Sequence, residues 1–480
     1  MEKNKRNFPP FSSDYIVVSE DEKTLRVEVP ETYNPLELEK LRFFSGKDVV
    51  IEKTLPVEEF NKKLQELLAE EKEEESQTEK VEIEGAVADL LAQSDENPTV
   101  KFVNRVLIKA VNVKASDIHF EPYEDEVLVR MRLDGVLQPY TSISPARYRE
   151  VVSRIKIMAN LNVAEKRVPQ DGKVHIKVGG KDYDIRVSVV PTVFGERAVL
   201  RLLDKSGGVL TLKELGLDEE QLKKVERLAS KPHGIVLVTG PTGAGKSTTL
   251  YAMLLKIKNP KRNIITIEDP VEYQIKGIGQ IQVNPKVGLT FASGLRAVLR
   301  QDPDVIMVGE IRDRETAEIA VQAALTGHLV LSTLHTNDAP SAVTRLADME
   351  IEPFLIASTL EGVISQRLVR KICPHCRVAY KPSEEELKEL GLDPKGDYTF
   401  YRGEGCEHCL GTGYKGRTGI FEVLELDEEL KKLITKTQDA NEIRKAARKK
   451  GFKTMLEDGI EKILKGITTS SEVLAVVDRE

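Results

Sequence analysis

The stretch IVLVTGPTGAGKSTTLYAMLLKI, residues 235–257, decides the architecture. IVLVT is an unbroken apolar run of strand length, and TLYAMLLKI reads as a helix. Between them, Gly240 to Ser247 fit the pattern G-x-x-x-x-G-K-S. In that setting the glycines let backbone N–H groups curl around phosphates at a helix N-terminus, where the macrodipole also favours negative charge. Gly240, Pro241, Thr242, Gly243, Ala244, Gly245, Lys246, Ser247 and Thr248 are therefore the expected nucleotide-binding residues. Lys246 would reach the β- and γ-phosphates, and the Ser247 hydroxyl would hold Mg²⁺. A chance glycine-rich turn is the rival reading, and the flanking strand and helix speak against it. The sequence predicts a site for ATP or GTP.

Outward from this loop, the apolar strands NIITIE, DVIMVGE and LVLSTL alternate with the helical stretches FASGLRAVLRQ and RETAEIAVQAAL. That is the pattern of a mostly parallel sheet with crossover helices. Upstream, VLVRMRLDG alternates like a half-buried strand closing in a turn, and KVHIKV and YDIRVSVV are further strand signals. The first module, with YIVVS, LRVEV, PLELEKLRFF and VEEFNKKLQELL, reads as a small α/β unit. LAEEKEEESQTEK is acidic and almost free of apolar residues, so it is expected to be a linker; the solvated end of a helix is the alternative.

The chain has 480 residues, 71 Lys and Arg against 78 Asp and Glu, and a net charge of -7. An acidic balance disfavours nucleic acid as the main partner, because phosphate binding leaves a basic footprint. No apolar run approaches the ~20 residues that span a bilayer. The start, MEKNKRNFPPFSS, lacks the apolar segment of a secretory signal, so a cytoplasmic location is expected.

Several polar residues near the loop are candidates for chemistry. DVIMVGE ends in Gly309 and Glu310, where a P-loop enzyme offers an acidic residue to the magnesium shell. IEDPVE carries Glu268, Asp269 and Glu272, placed to position Mg²⁺ waters and the attacking water; a turn closed by Pro270 is the alternative. Arg296 and Arg300 share one helical face, either solvated or in contact with phosphate. His328 and His335 bracket the apolar strand of TGHLVLSTLHT. Cys373-Pro-His-Cys376 and Cys406-Glu-His-Cys409 form two C-x-x-C knuckles, which fit a closed, tetrahedral structural Zn²⁺ site. His375 and His408 are alternative ligands. A redox pair and an empty site are the remaining readings.

Taken in order, these pieces resemble the secretion ATPase superfamily. GPTGAGKSTTLYA is similar to its Walker A, TIEDPVEY to its Asp box, DPDVIMVGEIRD to its Walker B and TGHLVLSTLHTNDA to its His box. SDIHFEP, RVPQDGK and YDIRVS resemble the family's second N-terminal domain, so the similarity spans residues 85 to 480. The resemblance implies an α/β fold: a RecA-like P-loop ATPase domain with a preceding α/β domain, a small zinc-binding subdomain and a helical C-terminal segment. The implied boundaries are 1–67 for an α/β docking module, 68–84 for the linker, 85–205 for the second α/β domain and 206–369 for the ATPase core. The tetracysteine subdomain would take 370–415 and the mainly helical segment 416–480.

By the same resemblance Glu272 is the general base and Glu310 acts through the Mg²⁺ shell, while His328 and His335 sense the γ-phosphate. Arg186 and Arg201 would be brought onto the phosphates by domain closure, and Arg296 and Arg300 match family positions near the site. The cysteine knuckles resemble those of assembly motors rather than retraction motors. The first module resembles the docking module of type II secretion ATPases, which binds the cytoplasmic part of an inner-membrane protein. The implied function is a hexameric motor, bound to the inner membrane through partners that include a platform protein. It would use ATP, Mg²⁺ and Zn²⁺ to build a pilus-like fibre for protein export. Type IV pilus assembly is the alternative. A nucleic-acid translocase or DNA-uptake motor, and a module using ATP only as a switch, are the rivals from other classes; no direct nucleic-acid contact is expected.

Overall fold

The computed structural model describes residues 15–63 except 22, 46 and 61, together with 97–204 and 208–477. The expected linker at 68–84 and the first residues of the expected second domain lie outside these. Among the described residues, no helix is long and apolar enough to cross a membrane.

The first module holds strands β1 (Ile16–Glu20), β2 (Thr24–Pro30) and β3 (Asp48–Leu55), with the helix Pro35–Ser45 crossing between β2 and β3. β1 runs antiparallel to β2, and β2 parallel to β3. Alternate residues Leu25, Val27 and Val29 point inward with Tyr15 and Leu41 to form its small core. This module belongs to one compact unit of the chain, and residues 97–174 and 181–477 belong to another.

A six-stranded sheet comes next, built from β4 (Asp117–Pro122), β5 (Val127–Leu133), β6 (Val136–Ile143), β7 (Gln170–Val178), β8 (Lys181–Thr192) and β9 (Gly195–Asp204). Its order is β6-β5-β4-β9-β8-β7. The LDG turn expected after VLVRMRL joins β5 to β6, with Asp134 at φ 48° and Gly135 at φ 91°. Positive φ at both central residues gives a hairpin turn whose twist matches the strands. The helices Pro98–Asn112 and Pro145–Met158 pack on each other. Each starts with proline behind a capping side chain, Asn97 and Ser144. There proline removes no intrahelical bond.

The third sheet has seven strands: β10 (Gly234–Thr239), β11 (Ile264–Glu268), β12 (Gly279–Gln282), β13 (Val305–Val308), β14 (Leu329–Leu334), β15 (Leu360–Ile372) and β18 (Tyr414–Glu425). Its order is β12-β11-β13-β14-β10-β15-β18. Every pair is parallel except β15 with β18. β10, β11, β13 and β14 are buried along their whole lengths. Burial on both faces is why they read as unbroken apolar runs. Ile235 and Leu237 enter one core with Leu295, Val298, Ala317 and Ala320. Val236 and Val238 enter the other with Val225, Leu228, Leu250 and Leu254.

Two short strands, β16 (Arg377–Tyr380) and β17 (Phe400–Gly403), pair antiparallel within the cysteine-bearing segment. Beyond that segment the implied boundary at 415/416 falls inside β18, and the helices of the C-terminal segment start at Glu428. The chain returns antiparallel along β15, and that long pairing buries Gly419 to Leu424 as a sheet edge. The expected boundary at 369/370 likewise falls inside β15.

Candidate active site

β10, between β14 and β15 in the interior of the seven-stranded sheet, delivers the phosphate loop to the N-terminus of the helix Lys246–Ile257. Gly240 has φ 147°, and a Cβ there would lie 2.6 Å from the Gln366 carbonyl oxygen. Gly245 is the N-cap, at φ 86°, and no side chain caps this helix. The uncapped N–H groups suit an anion. The Lys246 ammonium donates to the carbonyls of Gly240 (2.8 Å) and Pro241 (2.9 Å). From β15, the buried Gln366 donates to Ala244 O (2.6 Å) and accepts from Thr249 Oγ1 (2.6 Å), which holds the loop to the sheet.

The pocket over this loop is also lined by Ser247, Glu268, Glu272, Glu310 and His335. Glu310 follows β13, with Arg312 Nη2 at 2.5 Å and His335 Nε2 at 3.7 Å. Burial lowers the Lys246 pKa and Arg367 adds to the shift, while Glu310 opposes it. Burial and the Lys246 charge hold His335 below the ordinary histidine value, so it is neutral near pH 7. Glu272 stands on the loop after β11, with its Oε2 3.2 Å from Arg186 Nη2. Glu268 turns inward instead and is 4% exposed. Its carboxylate accepts from Tyr251 OH, Thr266 Oγ1 and Gln280 Nε2.

The structure does not bring all the sequence candidates together. β14 is parallel to β10, with Gly234 opposite Leu329 and Thr239 opposite Leu334. His335 therefore leaves the strand beside the phosphate loop, and His328 enters it at the far end, roughly 20 Å away at ~3.3 Å per residue. There His328 Nδ1 lies 2.8 Å from Ala323 O. The helix Phe291–Val298 starts at the pocket with Phe291 and runs away from it. That carries Arg300 about 13 Å along the axis at ~1.5 Å per residue. Arg296 pairs with Glu315 (2.6 Å), and Arg300 donates to Arg296 O (2.9 Å). Arg186 and Arg201 are directly opposite on β8 and β9. Like charges so placed repel, and each has its own carboxylate: Glu272 for Arg186, and Asp117 for Arg201 at 2.9 Å.

Sequence reasoning missed Arg417, which lines the pocket from β18, and Tyr251, which lies under it. Arg417 had no signal short of the β15–β18 pairing. Tyr251 sits inside a helix motif where an aromatic residue reads as core.

The four thiols of Cys373, Cys376, Cys406 and Cys409 converge. The Sγ separations are 3.8 Å for Cys373–Cys406, 3.8 Å for Cys376–Cys409 and 3.7 Å for Cys406–Cys409. A disulfide needs about 2.05 Å, whereas a tetrahedron of ~2.3 Å metal–sulfur bonds has edges of about 3.8 Å. The backbone N–H groups of Cys406 (3.1 Å) and Gly413 (3.2 Å) donate to Cys409 Sγ, which favours its thiolate, the form that binds a metal. His375 and His408 stack on each other at 3.9 Å on the exposed side of the knuckles. The donor set fits a four-thiolate metal site.

The chain matches the family model described as Type II/IV secretion system protein over residues 92–475. It is 53% identical over 392 residues to Type II secretion system protein E of Pseudomonas aeruginosa, covering 82% of this chain and 78% of that one. It is 53% identical over 383 residues to the type IV pilus assembly ATPase PilB of Thermus thermophilus, covering 79% of this chain but 43% of the relative. Among solved structures, the pilus retraction motor PilT with bound ADP matches with a TM-score of 0.54 at 28% identity, over 78% of this chain and 96% of that one. With the phosphate loop at the end of an interior strand of a mostly parallel sheet and this similarity along most of its length, the chain belongs to the Type II/IV secretion system protein family.

Proposed function

We propose that this ATPase is the motor of a type II secretion system, coupling ATP hydrolysis to assembly of a pilus-like fibre for protein export. The observation that carries the reading is 53% identity to a type II secretion system protein E over most of both chains. It acts as a hexamer at the cytoplasmic face of the inner membrane. Residues 1–67 dock on an inner-membrane secretion protein, and the ring drives a membrane platform. The chain divides into that module, a linker at 68–84, an α/β domain at 85–205 and a core from 206 that carries the cysteine segment between β15 and β18, followed by a helical segment from Glu428.

In the site, backbone N–H groups of the phosphate loop and Lys246 bind the phosphates of ATP. When bound through Ser247, Mg²⁺ supplies neutralisation of phosphate charge. Glu272 accepts the proton of the attacking water, Glu310 would orient the water shell of a bound cation, and neutral His335 donates toward the γ-phosphate. Arg186 occupies the Glu272 oxygen that would receive that proton. Its departure toward a phosphate would free the base as the second α/β domain closes, with Arg201 moving alongside. His328, Arg296 and Arg300 lie outside this pocket, so any part they take in hydrolysis is indirect within one chain. Cys373, Cys376, Cys406 and Cys409 would hold Zn²⁺, which would add a cross-link to the segment between β15 and β18.

The alternative, type IV pilus assembly, draws on the equal identity to PilB, of which the alignment spans under half. Installing Lys246→Ala in the native host tests the choice. Loss of exported proteins with surface pili intact is the expected result. Loss of pili with normal secretion would overturn it in favour of the alternative.

A further inference from the structure

Tyr251 is 1% exposed, on the helix that begins at Lys246. Its hydroxyl does two things at once: it donates to the buried Glu268 carboxylate and accepts the backbone N–H of Glu272 at 3.2 Å. Glu268 also accepts from Thr266 Oγ1 (2.5 Å) and Gln280 Nε2 (3.0 Å). Gln280 in turn holds the same loop, donating to Tyr273 O (2.8 Å) and accepting from Ile275 N–H (2.7 Å). Tyr273 packs edge-on against Tyr251, with ring centroids 6.0 Å apart. The loop that carries Glu272 is thus tied at Glu272, Tyr273 and Ile275 to one buried carboxylate.

A buried carboxylate held by three neutral donors is a costly way to fill a core, since apolar packing of equal volume serves stability as well or better. Its geometric consequence is specific. Tyr251 joins the helix that starts at the phosphate loop to the loop that carries Glu272, and both ends of the hydroxyl are committed, so its direction is fixed.

We propose that Tyr251 is a positioning residue for hydrolysis: oriented by Glu268, its hydroxyl sets the height of Glu272 over the bound phosphates. The proposal rests on the reading of Glu272 as the general base. It makes Glu268 a structural anchor of the site rather than a group facing the cation. Such positioning acts on the geometry of attack and leaves phosphate binding to the loop and Lys246.

The test is ATP turnover by the full chain against ATP concentration. Tyr251→Phe keeps the ring and its packing on Tyr273 and removes only the hydroxyl. kcat should fall about tenfold or more, as misplacement of a reacting group does, while KM stays within about twofold. In a Glu272→Gln background, Tyr251→Phe should cost nothing further, because the two act as one unit. Wild-type kcat in the Phe variant overturns the proposal, and so does an equal loss from Tyr251→Phe in both backgrounds. Full turnover in Glu272→Gln alone overturns instead the reading of Glu272 as base. If the thermal midpoint of the Phe variant drops, Glu268→Gln reads the same relay by weakening the acceptor. It should also lower kcat at constant KM, and an unchanged kcat there overturns the proposal.

Discussion

The phosphate-loop pocket and the four-cysteine cluster achieve order in opposite ways. In the pocket, functional side chains stand on loops at one end of a sheet buried on both faces. Those loops are held by buried polar groups behind them: Gln366 under Ala244, Glu268 under the Glu272 loop, and Glu422 behind the loop that follows His335. The cysteine segment instead has a small apolar core, in which Leu387, Leu390 and Phe400 pack with Val369, Ile420, Met455 and Ile463. Between Cys373 and Gly413 the large buried apolar residues are Leu387, Leu390 and Phe400, while Cys373 and Cys409 are themselves buried. A site built on a large sheet can lose a functional residue and keep its fold, whereas a segment with so small an apolar core depends more on its four-thiol cluster.

That contrast is most vulnerable at the cysteines. Replacing Cys373 and Cys376 by serine should release the metal and loosen residues 370–415, read by metal analysis and amide exchange. Zinc ligation contributes about 10–16 kcal/mol to folding of small metal domains, so this should be the largest loss of stability. Full zinc occupancy in the double variant would refute the ligand assignment.

Lys246→Ala should do the reverse. Turnover should fall about a thousandfold, the scale of losing one strong electrostatic contact to a reacting group. The thermal midpoint should stay near wild type, because the side chain contacts loop carbonyls and no core. Unchanged turnover would sink the active-site assignment.

Glu422 probes the same contrast from behind the pocket. Burial pushes its carboxyl up to about 7, against hydrogen bonds from the N–H groups of Ala339 and Met455. Its folded pKa is above its unfolded one, so its contribution is fully present below about 4.5 and is lost as pH rises through about 7. Glu422→Gln has no such loss. The variant should gain on wild type between pH 5 and pH 8, by at most on the order of 3 kcal/mol. A thermal-midpoint difference that does not change with pH would show that Glu422 does not titrate there.

The smallest effect is expected at Arg296. Its side chain is 53% exposed and paired with Glu315. Exposed pairs are worth ~0–1 kcal/mol, so Arg296→Ala should change the turnover of the isolated chain less than about twofold. A hundredfold loss would show that the helix Phe291–Val298 reaches phosphate after all.

The features legible in the chain alone are those that depend on neighbouring residues. These are the strand–loop–helix around Lys246, the apolar strands of a sheet buried on both faces, the LDG hairpin, and the two cysteine knuckles. Each is local, because glycine conformational freedom, unbroken apolar runs and C-x-x-C spacing act over a few residues. Folding was needed to set which way the side chains of IEDPVE face, with Glu268 inward and Glu272 toward Arg186. It also separated His328 from His335, since a straight strand puts residues seven apart at opposite ends. Finally it turned the chain after Gly413 into β18 and so brought Arg417 to the pocket. Side-chain direction and long-range strand pairing are settled by what packs against them, and that partner lies far away in the chain.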